Sequence, residues 1–319
     1  MNNRKDQPLI TIGIPTFNRA QKLLKTLKYI LLQDYYNLEV IVCDNNSDDN
    51  TKSLVLDIQD NRINYYRNNK NIGMRNNFNE CLSKASGKFF ILLSDDDIPN
   101  YKLVSLLFES ISSSDEIIFA YSKVEFFKNN KSLNKYSQVA PKHERGIDFI
   151  KNNLFGIRSA FPSASILRVN DIRDINGYPD IDNSTDFGLL LKLCLKMEGL
   201  VSFINKPLIE YHEHGQNLSL QESHVQSLSK LIDWIKVILK DHQELLDKAL
   251  LKYKKDLIVT FRNQKIKDNT EVTEYIKIVY FKNYTNLFDR ALFFIGTNQL
   301  TIIIKKLSIL INRDKFLKS

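Results

Sequence analysis

The chain has 319 residues, of which 43% are hydrophobic and 26% are charged, and its formal net charge is +8. These fractions are those of a folded globular protein, and they exclude disordered, collagen-like and multi-span membrane proteins. The positive charge favours anionic partners: phosphates, nucleic acid or an acidic membrane surface. Cys43, Cys81 and Cys194 lack the spacing of a metal site, so we interpret them as reduced core residues.

The N-terminal half alternates apolar runs with helical patterns. Residues 9–15 and 38–43 are short apolar runs that predict buried parallel strands, and residues 19–33 have the spacing of a crossover helix. The alternation continues with a strand at 63–67, a helix at 76–85 and strands at 89–93 and 117–127, the last preceded by a helix at 101–112. Residues 129–144 read as a polar, irregular connection. This order predicts the α/β class.

The second half becomes progressively more helical. Residues 187–195 have helical spacing, residues 208–210 are predicted to close the sheet, and helical patterns dominate after residue 219. We therefore predict an α/β domain over residues 1–220 and a helical region over residues 221–319. The sequence contains neither an N-terminal secretory segment nor an 18-residue apolar run, so we expect a cytoplasmic protein, at most resting on the inner face of the cell membrane.

Three polar clusters follow three of the predicted strands, at residues 16–19, 44–49 and 94–97. Ligands of open parallel sheets bind outside the carboxyl ends of the strands, where these clusters would meet. The sequence contains neither GxGxxG nor a P-loop to hold phosphates. Asp95, Asp96 and Asp97 would repel one another unless a cation lay between them, and carboxylate oxygens suit Mg²⁺ or Mn²⁺. The alternative is an acidic turn that simply faces water.

Four motifs, taken together, resemble glycosyltransferase family 2, the inverting enzymes of GT-A fold that use nucleotide-sugar donors. They are IGIPTFNR (12–19), EVIVCDNNSDDNT (39–51), NIGMRNNFNECLSKASGKFFILLSDDD (71–97) and TDFGLLLKL (185–193). The resemblance covers residues 9–219 and implies a Rossmann-like, mainly parallel sheet flanked by helices. It also implies a bacterial enzyme of surface-polysaccharide biosynthesis.

The resemblance implies a set of donor contacts. They are Pro15, Thr16, Asn18, Arg19, Asp44, Asn46, Asn71, Gly73, Asp95 and Asp96. Among them Asp44 would accept a hydrogen bond from a ring N–H of the base, which suggests a UDP-linked sugar; its alternative role is to cap the next helix. Gly73 would let the backbone approach the ligand closely.

The resemblance also implies a metal site and a catalytic base. Asp95 and Asp97 match the Asp-x-Asp signature, although the common form begins at the position of Ser94, so Asp96 is an alternative ligand. The cation would bridge the two donor phosphates. His214, in the segment YHEHGQNLS (211–219), is a candidate third ligand or a structural histidine.

The family's base lies on an acidic pair, here reduced to Thr185 and Asp186. Asp186 would deprotonate the acceptor hydroxyl; its alternative role is to interact with a helix dipole, and Asp180 and Asp182 are nearby substitutes. Residues 161–165 are predicted to line the acceptor side. The acceptor would be a glycan or a lipid-linked saccharide.

Residues 300–319 combine an apolar helical stripe with basic residues. Such a helix would lie on an anionic membrane or pack against the core. The rival functions are a nucleotidyltransferase, disfavoured because no glycine-rich loop follows the first strand, and a catalytically inactive transferase-like protein that binds nucleotide or glycan. No nucleic-acid-binding motif accompanies the positive charge.

Overall fold

The computed structural model describes residues 7–137, 139–154, 157–213, 224–250 and 252–253. Its strands are, in chain order, β1 (Ile10–Thr16), β2 (Leu38–Asp44), β3 (Ile63–Arg67), β4 (Phe89–Leu92), β5 (Ile98–Pro99), β6 (Ile117–Lys128), β7 (Lys131–Tyr136), β8 (His143–Arg145), β9 (Ser165–Arg168) and β10 (Leu200–Glu213). Its helices are α1 (Ala20–Leu31), α2 (Thr51–Leu56), α3 (Met74–Lys84), α4 (Leu103–Ile111), α5 (Gly146–Leu154), α6 (Val169–Asp174), α7 (Thr185–Lys196) and α8 (His224–Ile238). The α/β prediction is confirmed.

All of these strands belong to one sheet, in the order β3, β2, β1, β4, β9, β6, β10 and β5, with β7 paired to β6 and β8 paired to β10. β3, β2, β1 and β4 are parallel. β9 is antiparallel to both β4 and β6, and β10 is parallel to β6. The carboxyl ends of β1, β2, β4, β6 and β10 therefore lie at the same edge of the sheet, which we call the carboxyl edge.

The centre of the sheet is buried on both faces. β1 and β2 are apolar along most of their length because each face of a parallel sheet is covered by crossover helices. α1 packs through Leu23, Leu27 and Ile30, which recur at helical spacing and are fully buried. Gly13 in β1 is required by close packing, since a Cβ atom there would lie 2.8 Å from the ring of Phe90.

The prediction of an irregular connection at residues 129–144 is wrong. β6 and β7 form a hairpin, and its two turn residues, Asn129 and Asn130, have φ angles of 51° and 59°. Positive φ at both central positions matches the right-handed twist of paired strands, and asparagine tolerates it. We call residues 123–136 the β6–β7 hairpin. β8 then pairs with the beginning of β10.

The described residues up to 213, together with Lys230–Lys252, form one compact unit. The predicted boundary at residue 220, with its domains 1–220 and 221–319, stays a prediction. None of the helices within the described ranges combines the length and the apolar composition that a bilayer-spanning segment needs. Residues 300–319, for which the two alternatives are membrane contact and packing against the core, lie outside the described residues.

Candidate active site at the carboxyl edge

The loops that follow β1, β2 and β4 meet at the carboxyl edge. Thr16 Oγ1 donates a hydrogen bond to Asp95 Oδ2 at 2.7 Å, and the amide of Asn45 donates to the carbonyl of Thr16 at 2.9 Å. The amide of Asn18 donates to Ser47 Oγ at 2.8 Å. These bonds join residues that are far apart in the sequence, so the three predicted polar clusters form a single site.

The loop after β1 is shaped by its backbone. Pro15 is the penultimate residue of β1 and lies in register with Cys43 of β2. Asn18 has a φ of 52°, and its side-chain oxygen accepts a hydrogen bond from the amide of Asp48 at 2.8 Å. Asparagine readily adopts this left-handed conformation. The turn directs the chain into α1 and places Arg19 beside the acidic triplet.

Asp44, at the end of β2, is 1% exposed and fully engaged. Its Oδ1 accepts from the amide of Ser47 at 2.8 Å, and its Oδ2 accepts from the hydroxyl of Tyr65 at 2.5 Å. The Nε atom of Arg67 lies 3.8 Å from the same Oδ2. α2 begins at Thr51, so the alternative in which Asp44 caps that helix is wrong. Asp44 instead fixes the loop that follows β2.

A network of asparagines, which the sequence motifs did not reveal, supports the third donor loop. Asn71 Oδ1 accepts from the amide of Gly73 at 2.9 Å and from Asn45 Nδ2 at 2.8 Å. Asn45 Oδ1 accepts in turn from the amide of Ile72 at 2.9 Å. Gly73 precedes α3 with a φ of 81°, which favours glycine. Asn46 has a φ of 71° and is half-buried between these loops.

The acidic triplet is a buried structure. Asp95 and Asp97 are 3% and 4% exposed, which makes the alternative of a water-facing acidic turn wrong. Arg19 Nη1 lies 3.1 Å from Asp95 Oδ1 and 2.9 Å from Asp96 Oδ2. Thr26 Oγ1, on α1, lies within 3.1 Å of the carbonyl oxygens of Asp95 and Asp97. Thr26 of α1 therefore fixes the backbone of the triplet, and Arg19, which directly precedes α1, supplies its counter-charge.

Burial changes the acidity of two of these carboxyl groups. Desolvation and the charge of Asp96 raise the pKa of Asp95 to about 6 and the pKa of Asp97 to about 8. Both effects disfavour the ionised form. Ser163 Oγ donates to Asp97 Oδ2 at 2.5 Å but does not reverse the shift. The site therefore favours a proton or a metal cation on Asp97.

These carboxylates fit a divalent cation. Mg²⁺ and Mn²⁺ prefer oxygen ligands, and Mg²⁺ commonly takes one or two protein carboxylates while phosphates and water complete its shell. Across the described part of the chain, no three His, Cys, Asp or Glu side chains are placed to hold a metal ion. Phosphate oxygens of a bound donor and water would complete the coordination of a cation on Asp95 and Asp97. His214 lies outside the described residues, so its assignment as a ligand stays a prediction.

Asp186 lies in the first turn of α7, half-buried, at a small pocket. Desolvation raises its pKa above the ordinary value for an aspartate. The pocket is lined by Ala160, Pro162, Ser165, Leu167, Tyr178, Asp186, Leu189 and Leu190. The two substitutes point to other roles: Asp180 forms an ion pair with Arg75, and Asp182 forms one with Lys230.

The segment 161–165 links the pocket of Asp186 to the acidic triplet. Pro162 and Ser165 line that pocket. Between them, Ser163 Oγ donates a hydrogen bond to Asp97 Oδ2 and accepts one from the amide of Ser94. A short 3-10 turn, Pro162–Ala164, produces this alternation before β9 begins. Ser163 and Thr26 are site residues that the sequence motifs did not identify, because hydroxyl groups of this kind carry no spacing signal.

Residues 11–171 match the sequence model of a family whose description is "Glycosyl transferase family 2". One relative, the GalNAc(5)-diNAcBac-PP-undecaprenol beta-1,3-glucosyltransferase of Campylobacter jejuni, is 37% identical over 144 residues, 42% of this chain and 47% of the relative. Another, UDP-Glc:alpha-D-GlcNAc-diphosphoundecaprenol beta-1,3-glucosyltransferase WfgD of Escherichia coli, is 32% identical over 147 residues, 46% of this chain and 57% of the relative. The chain thus spans about half the length of these two relatives.

Solved structures share the fold at low sequence identity. Residues 1–349 of TarS from S. aureus, solved with UDP-GlcNAc, give a TM-score of 0.68 at 16% identity, covering 85% of this chain and 79% of the solved TarS chain. A mannosyltransferase from Pyrobaculum calidifontis, solved with GDP-Man and Mn²⁺, gives 0.54 at 15% identity, covering 86% and 80%. These likenesses confirm the GT-A architecture.

Proposed function

This chain belongs to glycosyltransferase family 2, and from that premise we propose that it transfers a sugar from a nucleoside-diphosphate sugar to a hydroxyl group of a lipid-linked saccharide. The names of both relatives specify an acceptor sugar linked to undecaprenol through a diphosphate, and the name of WfgD also specifies UDP-Glc, which supports this choice of substrates. The observation that carries the proposal is the junction at Ser163. It joins the buried acidic triplet, where a donor diphosphate would lie, to the pocket of Asp186.

We propose that the nucleoside binds between the loops after β1 and β2. Asp44 would accept a hydrogen bond from the base, and the hydroxyl of Tyr65, now 2.5 Å from Asp44, would move aside or share the carboxylate. Asn18, Asn46 and the backbone before Gly73 would line the same groove. Preorganised loops of this kind lose little conformational entropy on binding, which favours affinity.

The diphosphate would lie against the acidic triplet, with Asp95 and Asp97 holding Mg²⁺ or Mn²⁺. The cation would neutralise charge that develops on the leaving nucleoside diphosphate. Arg19, now bonded to Asp95 and Asp96, would supply further positive charge to the same phosphates. Burial of the two carboxylates strengthens their interaction with any cation, because the local dielectric is low.

Asp186 is the proposed base. Desolvation raises its pKa, which makes Asp186 a stronger base than an ordinary aspartate, and its pocket is lined largely by apolar side chains. The proton of the acceptor hydroxyl would pass to Asp186 while the oxygen attacks the anomeric carbon. The bond from that carbon to the diphosphate would break in the same step, so the configuration would invert. We expect this reaction on the cytoplasmic face of the membrane.

Calorimetric titration with UDP, dTDP, GDP and CMP, each with and without Mn²⁺, tests the donor site. We expect one nucleotide to bind in a metal-dependent manner and to stabilise the fold by about 2.7 kcal/mol at a hundred times its Kd. Asp97→Ala should abolish the metal dependence, whereas the exposed control Asp57→Ala should not. Failure of every nucleotide to bind would reject the proposal; metal-dependent binding without sugar transfer would favour the inactive, nucleotide-binding alternative.

A further inference from the structure

The β6–β7 hairpin, together with the end of β10 that pairs with β6 as far as Lys128, extends past the end of β4 at the carboxyl edge. Leu167 of β9 pairs with Phe90 of β4 and with Phe119 of β6, so these two positions are level across the sheet. β4 therefore ends level with Tyr121, whereas β6 continues to Lys128. At about 3.3 Å per residue, the hairpin extends roughly 20 Å past the end of β4. The acidic triplet directly follows β4, so the hairpin lies on the same side of the sheet as the candidate active site.

The hairpin concentrates positive charge. It carries four lysines, Lys123, Lys128, Lys131 and Lys135, and one acidic residue, Glu125. Glu125 accepts a hydrogen bond from Ser132 Oγ at 2.5 Å and lies within 3.5 Å of the hydroxyl of Tyr136. Lys128, Lys131 and Lys135 are all exposed. Glu213 of β10 lies in register with Lys128, so the positive charge of the hairpin end is concentrated on Lys131 and Lys135 of β7, across β6 from β10.

Two of these lysines face each other. Lys128 and Lys131 are paired in the register of β6 and β7, on either side of the two-residue turn. Like charges directly opposite each other destabilise an antiparallel pair. Glu213 of β10, in register with Lys128 on its other side, offsets part of this repulsion, and an anionic surface close to the turn would offset more of it.

Apolar side chains accompany the charges. Leu133 and Tyr136 on β7 are 42% and 45% exposed, and Lys135 Nζ lies 4.7 Å above the ring of Phe126. Lysine side chains cover apolar surface with their methylene stems while the ammonium group reaches outward. A segment that combines lysines with exposed aromatic and aliphatic side chains suits the interface between water and lipid.

We propose that the β6–β7 hairpin docks the protein on an anionic phospholipid surface, with the carboxyl edge facing the bilayer. The proposal rests on the proposed function, because a lipid-linked acceptor is presented at the membrane while the nucleotide-sugar arrives from water. The hairpin would set the distance between the bilayer and Asp186. Each lysine near an anionic surface contributes about a fivefold gain in binding.

Co-sedimentation of the full chain with lipid vesicles tests the hairpin. We expect the protein to bind vesicles in which about a third of the lipid is anionic phosphatidylglycerol, and we expect salt to weaken this binding. It should bind little to vesicles of phosphatidylcholine alone. A variant with Lys128→Gln, Lys131→Gln and Lys135→Gln should bind about 100-fold more weakly. A control that replaces three exposed lysines elsewhere, Lys25, Lys28 and Lys52, should bind as the wild type does.

The single variant Lys131→Glu separates docking from folding. It converts the repulsive pair with Lys128 into an attractive one, so the melting temperature should stay equal or rise. Vesicle binding should nevertheless fall about 25-fold, because two units of charge are lost. If Lys131 had only a structural role, vesicle binding would not fall while the melting temperature stayed equal or rose.

The outcomes are distinct. Wild-type binding by the triple variant, equal binding to both kinds of vesicle, or no binding by the wild type would overturn the docking proposal. Titration of the same preparations with UDP, dTDP, GDP and CMP identifies which proposal has failed. Nucleotide binding without hairpin-dependent vesicle binding refutes only the docking surface, whereas loss of nucleotide binding by the wild type refutes the proposed function itself.

Discussion

Cation binding at the acidic triplet should depend steeply on pH. Asp97 has a pKa of about 8, raised by burial and by the charge of Asp96, so a cation must displace its proton at neutral pH. The fraction of Asp97 that is ionised rises about 16-fold between about pH 6.5 and pH 8.0. Because binding of one cation releases one proton from Asp97, the apparent affinity for the cation should rise by the same factor. Above about pH 8 the affinity should level off.

Calorimetric titration of Mg²⁺ in the presence of saturating UDP-glucose measures this dependence, because the diphosphate diester of the donor does not itself titrate in that range. Asp97→Asn should bind the cation weakly and with little pH dependence. The control Asp57→Asn alters an exposed carboxylate directly after α2 and should reproduce the wild-type curve. A flat curve for the wild type, or an unchanged slope in Asp97→Asn, would refute the reasoning about the buried carboxylate.

The same shift predicts how stability changes with pH. Because the folded-state pKa of Asp97 is raised from 3.8 to about 8, its contribution to stability is fully present below about pH 4. That contribution is lost as the pH rises through about 8. The metal-free protein should therefore melt at lower temperature as the pH increases from 6 to about 8, and Asp97→Asn should reduce this decline.

Three substitutions test other parts of the account. Asp186→Asn should lower kcat by about 10²–10⁴-fold and leave the donor Kd unchanged, as measured by transfer assay and calorimetry. Tyr65→Phe should cost about 1–3 kcal/mol of unfolding free energy in urea, because buried Asp44 loses a charge-assisted hydrogen bond; unchanged stability would contradict that bond. Gly13→Ala should cost about 1–3 kcal/mol, since the added Cβ would lie 2.8 Å from Phe90, and an unaltered melting temperature would argue against the tight contact.

The central sheet could be predicted because its strands are buried on both faces. Residues 38–43 and 89–93 are continuous apolar runs, and the structure has strands there that differ from the predicted bounds by one residue. The hairpin was missed because β7 is an exposed edge strand whose residues, KSLNKY, show no apolar alternation. The turn residues Asn129 and Asn130, directly after the strand, were the signal that could have revealed it.

The acidic triplet was predictable as a feature of one strand end, but its burial was not. A run of three aspartates carries no information about Arg19 or Thr26, which reach the triplet from α1 only after the chain has folded. Likewise, Ser163 is one of many serines, and only the packing of its turn against Asp97 distinguishes it. Local sequence identifies candidate groups, whereas the tertiary contacts determine their acidity.

Sugar transfer itself is the most direct test of the central claim. A panel of labelled UDP-sugars and GDP-mannose would be incubated with Mg²⁺ and a polyprenyl-diphosphate-linked GlcNAc acceptor in vesicles, and the product would be followed by chromatography and NMR. We predict that one donor is consumed with release of its nucleoside diphosphate, that the new linkage has inverted configuration, and that Asp186→Asn reacts about 10²–10⁴-fold more slowly. Transfer by Asp186→Asn at the wild-type rate, or a product that retains the donor's configuration, would contradict the account.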